Sequence, residues 1–533
     1  MNEVIRKERM LTAPGAPFEL GSVVMGGIVQ HIFTHAPSSL LELLERAAKR
    51  AEQEFLIDRQ RRLTNREFFE AVRCLAVGLK SKLGVVAGSR VAIAVKSAIE
   101  AGVAFSAVIS LGGIAVLIGE MECYDIEQSC HYAKCQVLIS ERAGMVVFTG
   151  LFEEKEFAWQ DLLETQSLVD RVNIAPEDLA VIAFTSGTSG RPKGVELSHR
   201  NIVSGLMNAM LAGNLSQVGA RPGEFRRPSN RLEGPPAIAL LSPFSHISGF
   251  TQLLLQLLLG GKIVLVGADV PAEQLSRIVA GEKVRSIVGL EANTLFQLLR
   301  GSSVAELSSI SSVFLSGSAL QMRTMKRVEQ RFPNAVVTTS YGMTETCGTI
   351  CALAGDVLKT RPQSSGRVVP SVEVKIVRSD GVTLEAGQIG RVLVRGAMLF
   401  RGYCREQKPS VLEGWFDTGD LGCLGEDRYL TVMGRAKDVI SINERLVSPI
   451  SIERAIMEAH EVDDVAVAKI GDGDELVALI VPSRDLSVNW EQLASVARNA
   501  IGSNLHCIEV AEIPRNRAGK LDANRLQDIA ESF

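Results

Sequence analysis

Residues 181–194 read VIAFTSGTSGRPKG, an apolar run of strand character passing straight into glycines, hydroxyls, a proline, a lysine and a glycine. A short apolar stretch closed off by Gly and Ser predicts a buried strand, and open α/β sheets take their ligands beyond the carboxyl ends of such strands. The loop suits phosphate: its glycines leave backbone N–H groups unhindered, its hydroxyls add donors, and Lys193 adds positive charge. It is not the nucleotide P-loop, which carries Gly-Lys-Ser/Thr after a four-residue gap from its first glycine. At that distance Gly187 is followed by Pro192, and Lys193 is followed by Gly194.

The same junction recurs. Ile238–Leu241 leads into SPFSHISG, Val313–Leu315 into SGSAL, and Val336–Thr339 into SYGMTET. Between residues 85 and 340 short β-branched runs alternate with stretches of helical spacing, such as Ile202, Leu206 and Met210 behind a Ser198 N-cap. This pattern predicts a doubly wound α/β sheet with the four loops lining one crevice. After residue 365 the texture turns to glycine-punctuated strands, VEVKIV (372–377), GRVLVRG (390–396) and YLTVMG (429–434), which predict a β-rich subdomain. Beyond GRAKD (434–438) come a hairpin-like segment, a helix around Ile452–Ala459, strands at Val465–Ile470 and Leu476–Val481, and a further helix. The expected fold class is therefore α/β: a large N-terminal domain (1–434), a hinge (435–438) and a small mobile α+β C-terminal domain (439–533).

Composition narrows the function. The chain has 533 residues, enough for more than one core, and is 46% hydrophobic and 22% charged. With 57 basic against 61 acidic residues and no long run of one sign, nothing marks a nucleic-acid partner. The nine cysteines form no C-x-x-C pair, so Cys130/Cys135 and Cys347/Cys351 read as core residues, and the usage suits a reducing, cytoplasmic setting. The N-terminus has no apolar segment of signal-peptide length. The apolar stretch 249–267 is broken by Gln252, Gln256, Gly260, Gly261 and Lys262, which favours a buried helix and strand over a membrane span. The Pro/Gly/Arg-rich run 216–236 reads as a solvated loop, with Arg221, Arg226, Arg227 and Arg231 as an alternative platform for a phosphate-bearing ligand.

Taken together and in order, FTSGTSGRPKG (184–194), SYGMTET (340–346), GWFDTGDLG (414–422), GRAKD (434–438) and PRNRAGK (514–520) resemble the adenylate-forming superfamily, above all stand-alone acyl- and aryl-CoA synthetases. The N-terminal APGAPFEL and LTNREFFEAVRCLAVGLK resemble the start of those enzymes, so the likeness spans most of the chain. It implies ATP, Mg²⁺ and coenzyme A as cofactors. A carboxylic acid would be activated to an acyl-adenylate with release of pyrophosphate, and a thiol would then displace AMP to form a thioester.

Residue by residue, the resemblance assigns Thr185, Ser186, Gly187, Thr188, Ser189, Gly190 and Lys193 to the β- and γ-phosphates. Gly317, Ser318 and Ala319 would wall the adenine, Tyr341 and Gly342 would lie against it, and Thr344 would meet the α-phosphate. Glu345 would hold Mg²⁺, which needs only one or two protein carboxylates. Asp420 would accept from the ribose hydroxyls, with Arg435 as a second ribose or phosphate contact. Lys520 would bridge the carboxylate and the α-phosphate. The acyl pocket would be lined by His246, Gly249, Leu315, Gly342 and Met343, and Lys437 would be the hinge. These lining residues offer no counter-charge for an ammonium group, with Glu291 a possible exception, which favours a hydrophobic or aromatic monocarboxylic acid. The acceptor is expected to be coenzyme A, with an acyl carrier protein as alternative partner and a nucleotide-binding protein without turnover as a third reading. Three positions depart from the pattern: Glu444 in ISINERLV stands where relatives carry glycine beside the pantetheine arm, Ser451 replaces a residue that is often an acid, and Asn516 in PRNRAGK stands where threonine is more usual.

Overall fold

The computed structural model describes residues 2–532 apart from 97, 119–122, 143–144, 151–154, 164–170, 186–192, 217–235, 268–269, 291, 302–304, 315–321, 407–409, 443–444, 458, 460, 470–475, 484–487, 492, 494, 496–504 and 516–520. Among the described residues, two large sheets and a two-stranded ribbon carry the chain as far as Arg435. The first large sheet has eight strands, with a parallel centre of Leu179–Thr185, Ile114–Leu117, Arg90–Ala94 and Val137–Arg142. Strand Lys193–Ser198 folds back antiparallel on Leu179–Thr185, and the short strand Gly402–Tyr403 completes that edge.

The second sheet has fourteen strands. Its parallel part runs Glu54–Ile57, Lys262–Leu265, Ala237–Leu240, Val284–Val288, Ser312–Phe314 and Val336–Met343. It continues antiparallel through Gly348–Ala354, Gly366–Val368, Tyr429–Arg435, Trp415–Leu424, Gly390–Arg395 and Glu373–Val377. Ile114–Leu117 and Ala237–Leu240 are buried at every residue, as strands covered by helices on both faces must be.

Local signals set the helices. Asn65–Leu83 opens on a Thr64/Glu67 capping box and closes on Gly84 at φ +64°. His199–Ser216 opens on a reciprocal pair: the Asn201 N–H donates to Ser198 Oγ and the Ser198 N–H to Asn201 Oδ1. The apolar 249–267 stretch resolves into helix Ile247–Leu259, a left-handed Gly260, and strand Lys262–Leu265. No helix among the described residues is long and apolar enough to cross a membrane. Cys130, Cys135, Cys347 and Cys351 are free thiols packed in the core.

The structure corrects the sequence reading at three points. The VIAF strand lies in the eight-stranded sheet, whereas the strands before SPFSHISG, SGSAL and SYGMTET are parallel members of the other sheet; both kinds are buried and read alike in hydropathy. Next, SYGM belongs to strand Val336–Met343, because Ser340–Met343 pairs with Gly348–Ala352. Finally, the β-rich strands after 365 extend the large sheet instead of forming one of their own.

Past Arg435 the chain makes the expected hairpin, Ile440–Ile442 with Arg445–Val447, then a helix. That helix is Pro449–Ile456, a few residues earlier than its spacing suggested, because Ser448 caps it and Pro449 fits its first position. A three-stranded sheet of Val462–Lys469, Leu476–Pro482 and Leu505–Glu509 and the helix Ala523–Glu531 bury clusters drawn only from this part of the chain.

Candidate active site

Two carboxylates organise the site, and one hairpin reaches both. Strand Val336–Met343 turns through Thr344–Thr346 into strand Gly348–Ala354, bringing Tyr341 to Asp420 and presenting Glu345 four residues later. The turn is locked by Thr346, which is fully buried: its hydroxyl donates to the Gly348 carbonyl and accepts from the Met343 N–H. Gly342 is required by crowding, since a Cβ there would stand 1.7 Å from the Gly348 carbonyl oxygen.

Asp420 is 5% exposed in the middle of strand Trp415–Leu424. The Tyr341 hydroxyl donates to its Oδ2 at 2.5 Å, and Arg435, its cross-strand partner, brings Nε to 3.4 Å from Oδ1. Arg435 is steadied in turn by donating to the Thr418 carbonyl at 2.7 Å. Burial raises the Asp420 pKa from its usual value, with Arg435 pulling the other way. Burial, reinforced by the Asp420 charge, holds the Tyr341 phenol well above its ordinary value, so Tyr341 stays a donor. A carboxylate offers about four acceptor positions, so Asp420 keeps capacity for a vicinal diol beside these partners.

Glu345 is held from a different direction. Its carbonyl accepts from the Phe400 N–H at 2.9 Å, and its Oε1 accepts from the Tyr403 hydroxyl at 2.8 Å. Tyr403 lies in the edge strand of the eight-stranded sheet, opposite Val195, and the Lys193 ammonium sits 4.9 Å from its ring centroid. Thr185 and Lys193 are themselves cross-strand partners at the end of the first motif's hairpin. The two large sheets thus meet at Tyr403, which contacts both Lys193 and the SYGMTET glutamate Glu345.

Sequence reasoning missed Tyr403. No motif singles out FRGYC (400–404), and its place emerges only when the strand register sets it beside Lys193–Ser198. Nor did the sequence assign a role to His199, which is buried with Nδ1 accepting from the Leu40 N–H at 3.2 Å.

Other expected residues fall as follows. His246 precedes helix Ile247–Leu259, its carbonyl accepting from the Gly249 and Phe250 N–H groups, on the sheet edge where Gly342 and Met343 end their strand. Gly249 is buried with its would-be Cβ 2.0 Å from the Pro243 carbonyl oxygen, so helix packing by itself accounts for the glycine. Thr344 is half-buried in the turn, and Lys437 is exposed just after Arg435. Ser186, Gly187, Thr188, Ser189, Gly190, Glu291, Leu315, Gly317, Ser318, Ala319, Glu444 and Lys520 lie outside the described residues, as do Arg221, Arg226, Arg227 and Arg231.

Comparison with known proteins bears on this arrangement. The family model of the AMP-binding enzyme matches residues 43–404. The chain belongs to the AMP-binding enzyme family. It is an enzyme of the AMP-forming acid–thiol ligase class. A 4-coumarate–CoA ligase-like protein of Arabidopsis thaliana is 28% identical over 499 residues, covering 88% of this chain and 85% of that relative. A long-chain-fatty-acid–CoA ligase of Escherichia coli O157:H7 is 26% identical over 552 residues, covering 92% and 94%. Among solved structures, the o-succinylbenzoate coenzyme A synthetase of Bacillus subtilis with AMP aligns at a TM-score of 0.74 and 24% identity over 91% of this chain and 98% of its own. The same synthetase with ATP and magnesium aligns at 0.71 and 22%, over 91% and 99%. At such identities these likenesses carry the fold.

Proposed function

We propose that this enzyme activates a hydrophobic or aromatic carboxylic acid with ATP and Mg²⁺, and transfers the acyl group to coenzyme A. The observation that carries the reading is the pair of engaged carboxylates that one hairpin brings together: Asp420 of strand Trp415–Leu424, between Tyr341 of the hairpin and Arg435, and Glu345 in the hairpin turn, beside Tyr403 and Lys193. Asp420 suits a ribose diol, and the Tyr341 backbone suits the face of the base beside it. Lys193 suits the terminal phosphates, and the residues Ser186–Gly190, which lie between Thr185 and Lys193 in the sequence, would bind them with it.

The donor set fits a nucleotide-borne magnesium ion. Among the described residues no group of three His, Cys, Asp or Glu side chains forms a metal cage. Glu345 supplies one carboxylate, which is what Mg²⁺ takes when phosphates and water complete its shell. When bound, the ion would neutralise phosphate charge. Glu345 would hold it, with Thr344 next in the turn facing the α-phosphate.

In the first half-reaction a carboxylate oxygen of the acid bonds to the α-phosphorus, the bond to the bridging oxygen of the β-phosphate breaks, and pyrophosphate leaves. Both partners are anionic, so the work of the protein is positioning and charge neutralisation, assigned to Lys193 and Lys520. In the second, the thiol sulfur bonds to the acyl carbon, the bond to AMP breaks, and the thiol proton passes to solvent. In this reading the acid would lie at the carboxyl edge of the parallel strands, near His246, Leu290, Gly342 and Met343. That lining is short of charge, in keeping with relatives named for 4-coumarate and for long-chain fatty acids. The test is product analysis with a panel of aryl and fatty acids, ATP, Mg²⁺ and either coenzyme A or a pantetheinylated carrier protein. An acyl-CoA supports the reading; acylation of the carrier alone replaces the acceptor, and accumulation of acyl-AMP with coenzyme A present removes the second step.

A further inference from the structure

We propose that Tyr403 is a positioning residue for the metal carboxylate: its hydroxyl fixes the orientation of Glu345 and ties it to the phosphate-loop strand. This rests on the reading of Glu345 as the magnesium ligand.

The segment Phe400–Cys404 is strapped between the two halves of the site. On one side the Phe400 N–H donates to the Glu345 carbonyl at 2.9 Å and the Tyr403 hydroxyl to its Oε1 at 2.8 Å, so backbone and side chain of one residue are both held. On the other, the Arg401 N–H donates to Glu196 at 2.8 Å and the Cys404 N–H to Gly194 at 2.7 Å, the residue after Lys193. The Tyr403 ring is fixed edge-on to Phe400 at 5.0 Å, which in turn packs on Phe416 at 5.0 Å, so the hydroxyl has little freedom to leave Glu345. The Lys193 ammonium lies over the same ring, 4.9 Å from its centroid.

The consequence is geometric. Oε1 carries a hydrogen bond from Tyr403, and no described residue donates to Oε2, which leaves that oxygen for a cation. Partners of this kind behind a metal ligand typically contribute about 10- to 100-fold to metal affinity.

The experiment compares wild type, Tyr403→Phe and Glu345→Gln. Mn²⁺ binding in the presence of ATP is read by electron paramagnetic resonance, alongside the Mg²⁺ dependence of ATP–pyrophosphate exchange. Tyr403→Phe keeps the ring and removes one hydroxyl. Roughly tenfold weaker Mn²⁺ binding and a parallel rise in half-saturating Mg²⁺ are expected, with ATP affinity in the absence of metal unchanged. Wild-type Mn²⁺ affinity in Tyr403→Phe, with Glu345→Gln impaired, overturns the role of Tyr403 alone. Wild-type affinity in Glu345→Gln overturns the reading of Glu345 itself. Should Tyr403→Phe fail to fold, 3-fluorotyrosine in the wild-type chain, which has five tyrosines, gives a second readout. The Tyr403 fluorine resonance, assigned by elimination, should shift when Mg²⁺ joins the ATP complex, and a resonance indifferent to Mg²⁺ overturns the proposal.

Discussion

Asp420 sits almost out of water between a phenol and a guanidinium, so its charge is sustained by those two neighbours. Asp420→Asn keeps the shape and removes the charge. With hydrogen bonds to a charged group contributing about 1.5–3 kcal/mol, kcat/KM for ATP should fall by roughly 10- to 100-fold while KM for the acid stays near wild type. Steady-state kinetics with each substrate varied in turn would show it, and equal losses for both substrates would place Asp420 in general packing. His199 makes a separate, acid-side prediction. Burial pushes its pKa down to about 4 from the ordinary 6.5, so between those values the unfolded chain takes up a proton that the fold refuses. Stability is full above about pH 6.5, falls as pH drops toward 4 and levels off below, a loss on the order of 3 kcal/mol. Urea denaturation across that range should show a shallower decline in His199→Gln. Both sites illustrate what one-dimensional reading reveals: Asp420 stands out because it belongs to a motif, although its Tyr341 and Arg435 partners appear only in the fold, whereas His199 reads as a routine first residue of a helix until Leu40, distant in sequence, is seen to pack onto it.

Tyr341 and Glu345 are both mounted on the hairpin Val336–Met343 with Gly348–Ala354, so under the proposed function that hairpin would set the distance between nucleotide and metal. Gly342→Ala places a methyl against the Gly348 carbonyl oxygen, which backbone must move to accept. Overpacking of this kind costs about 1–3 kcal/mol, so Gly342→Ala should lower the thermal midpoint and weaken ATP binding together. Unchanged melting with lost ATP binding would move Gly342 from turn geometry to direct contact. At this scale the sequence was read well in part. The α/β alternation, the buried helix and strand of 249–267, the capped helix after Ser198 and the C-terminal hairpin are all present. Membership of the strands in one sheet or another was not legible, since a strand buried on both faces has the same apolar pattern in either. For the same reason Tyr403 was invisible: its partner Glu345 is reached only through the pairing of Gly402–Tyr403 with Val195–Glu196.

For the whole molecule, the separate cores of the chain before and after the 435–438 turn suggest how one crevice would serve two reactions in turn. In that scheme the C-terminal unit brings Lys520 to the acid for adenylation and withdraws it for thiol attack, pivoting at Lys437. Lys520→Ala should reduce acyl-adenylate formation by about 100-fold or more, while thioester formation from supplied acyl-adenylate changes less than about tenfold. Single-turnover assays of the two halves would separate them, and equal losses would place Lys520 outside the alternation. Beneath all of this stands adenylation itself, which acid-dependent exchange of labelled pyrophosphate into ATP reads most directly. Label should enter ATP only when Mg²⁺ and an apolar aryl or fatty acid are both supplied, and exchange should collapse in Asp420→Asn and Lys520→Ala. Nucleotide binding with no exchange for any acid of the panel, or exchange indifferent to the loss of Asp420 and Lys520, would overturn it.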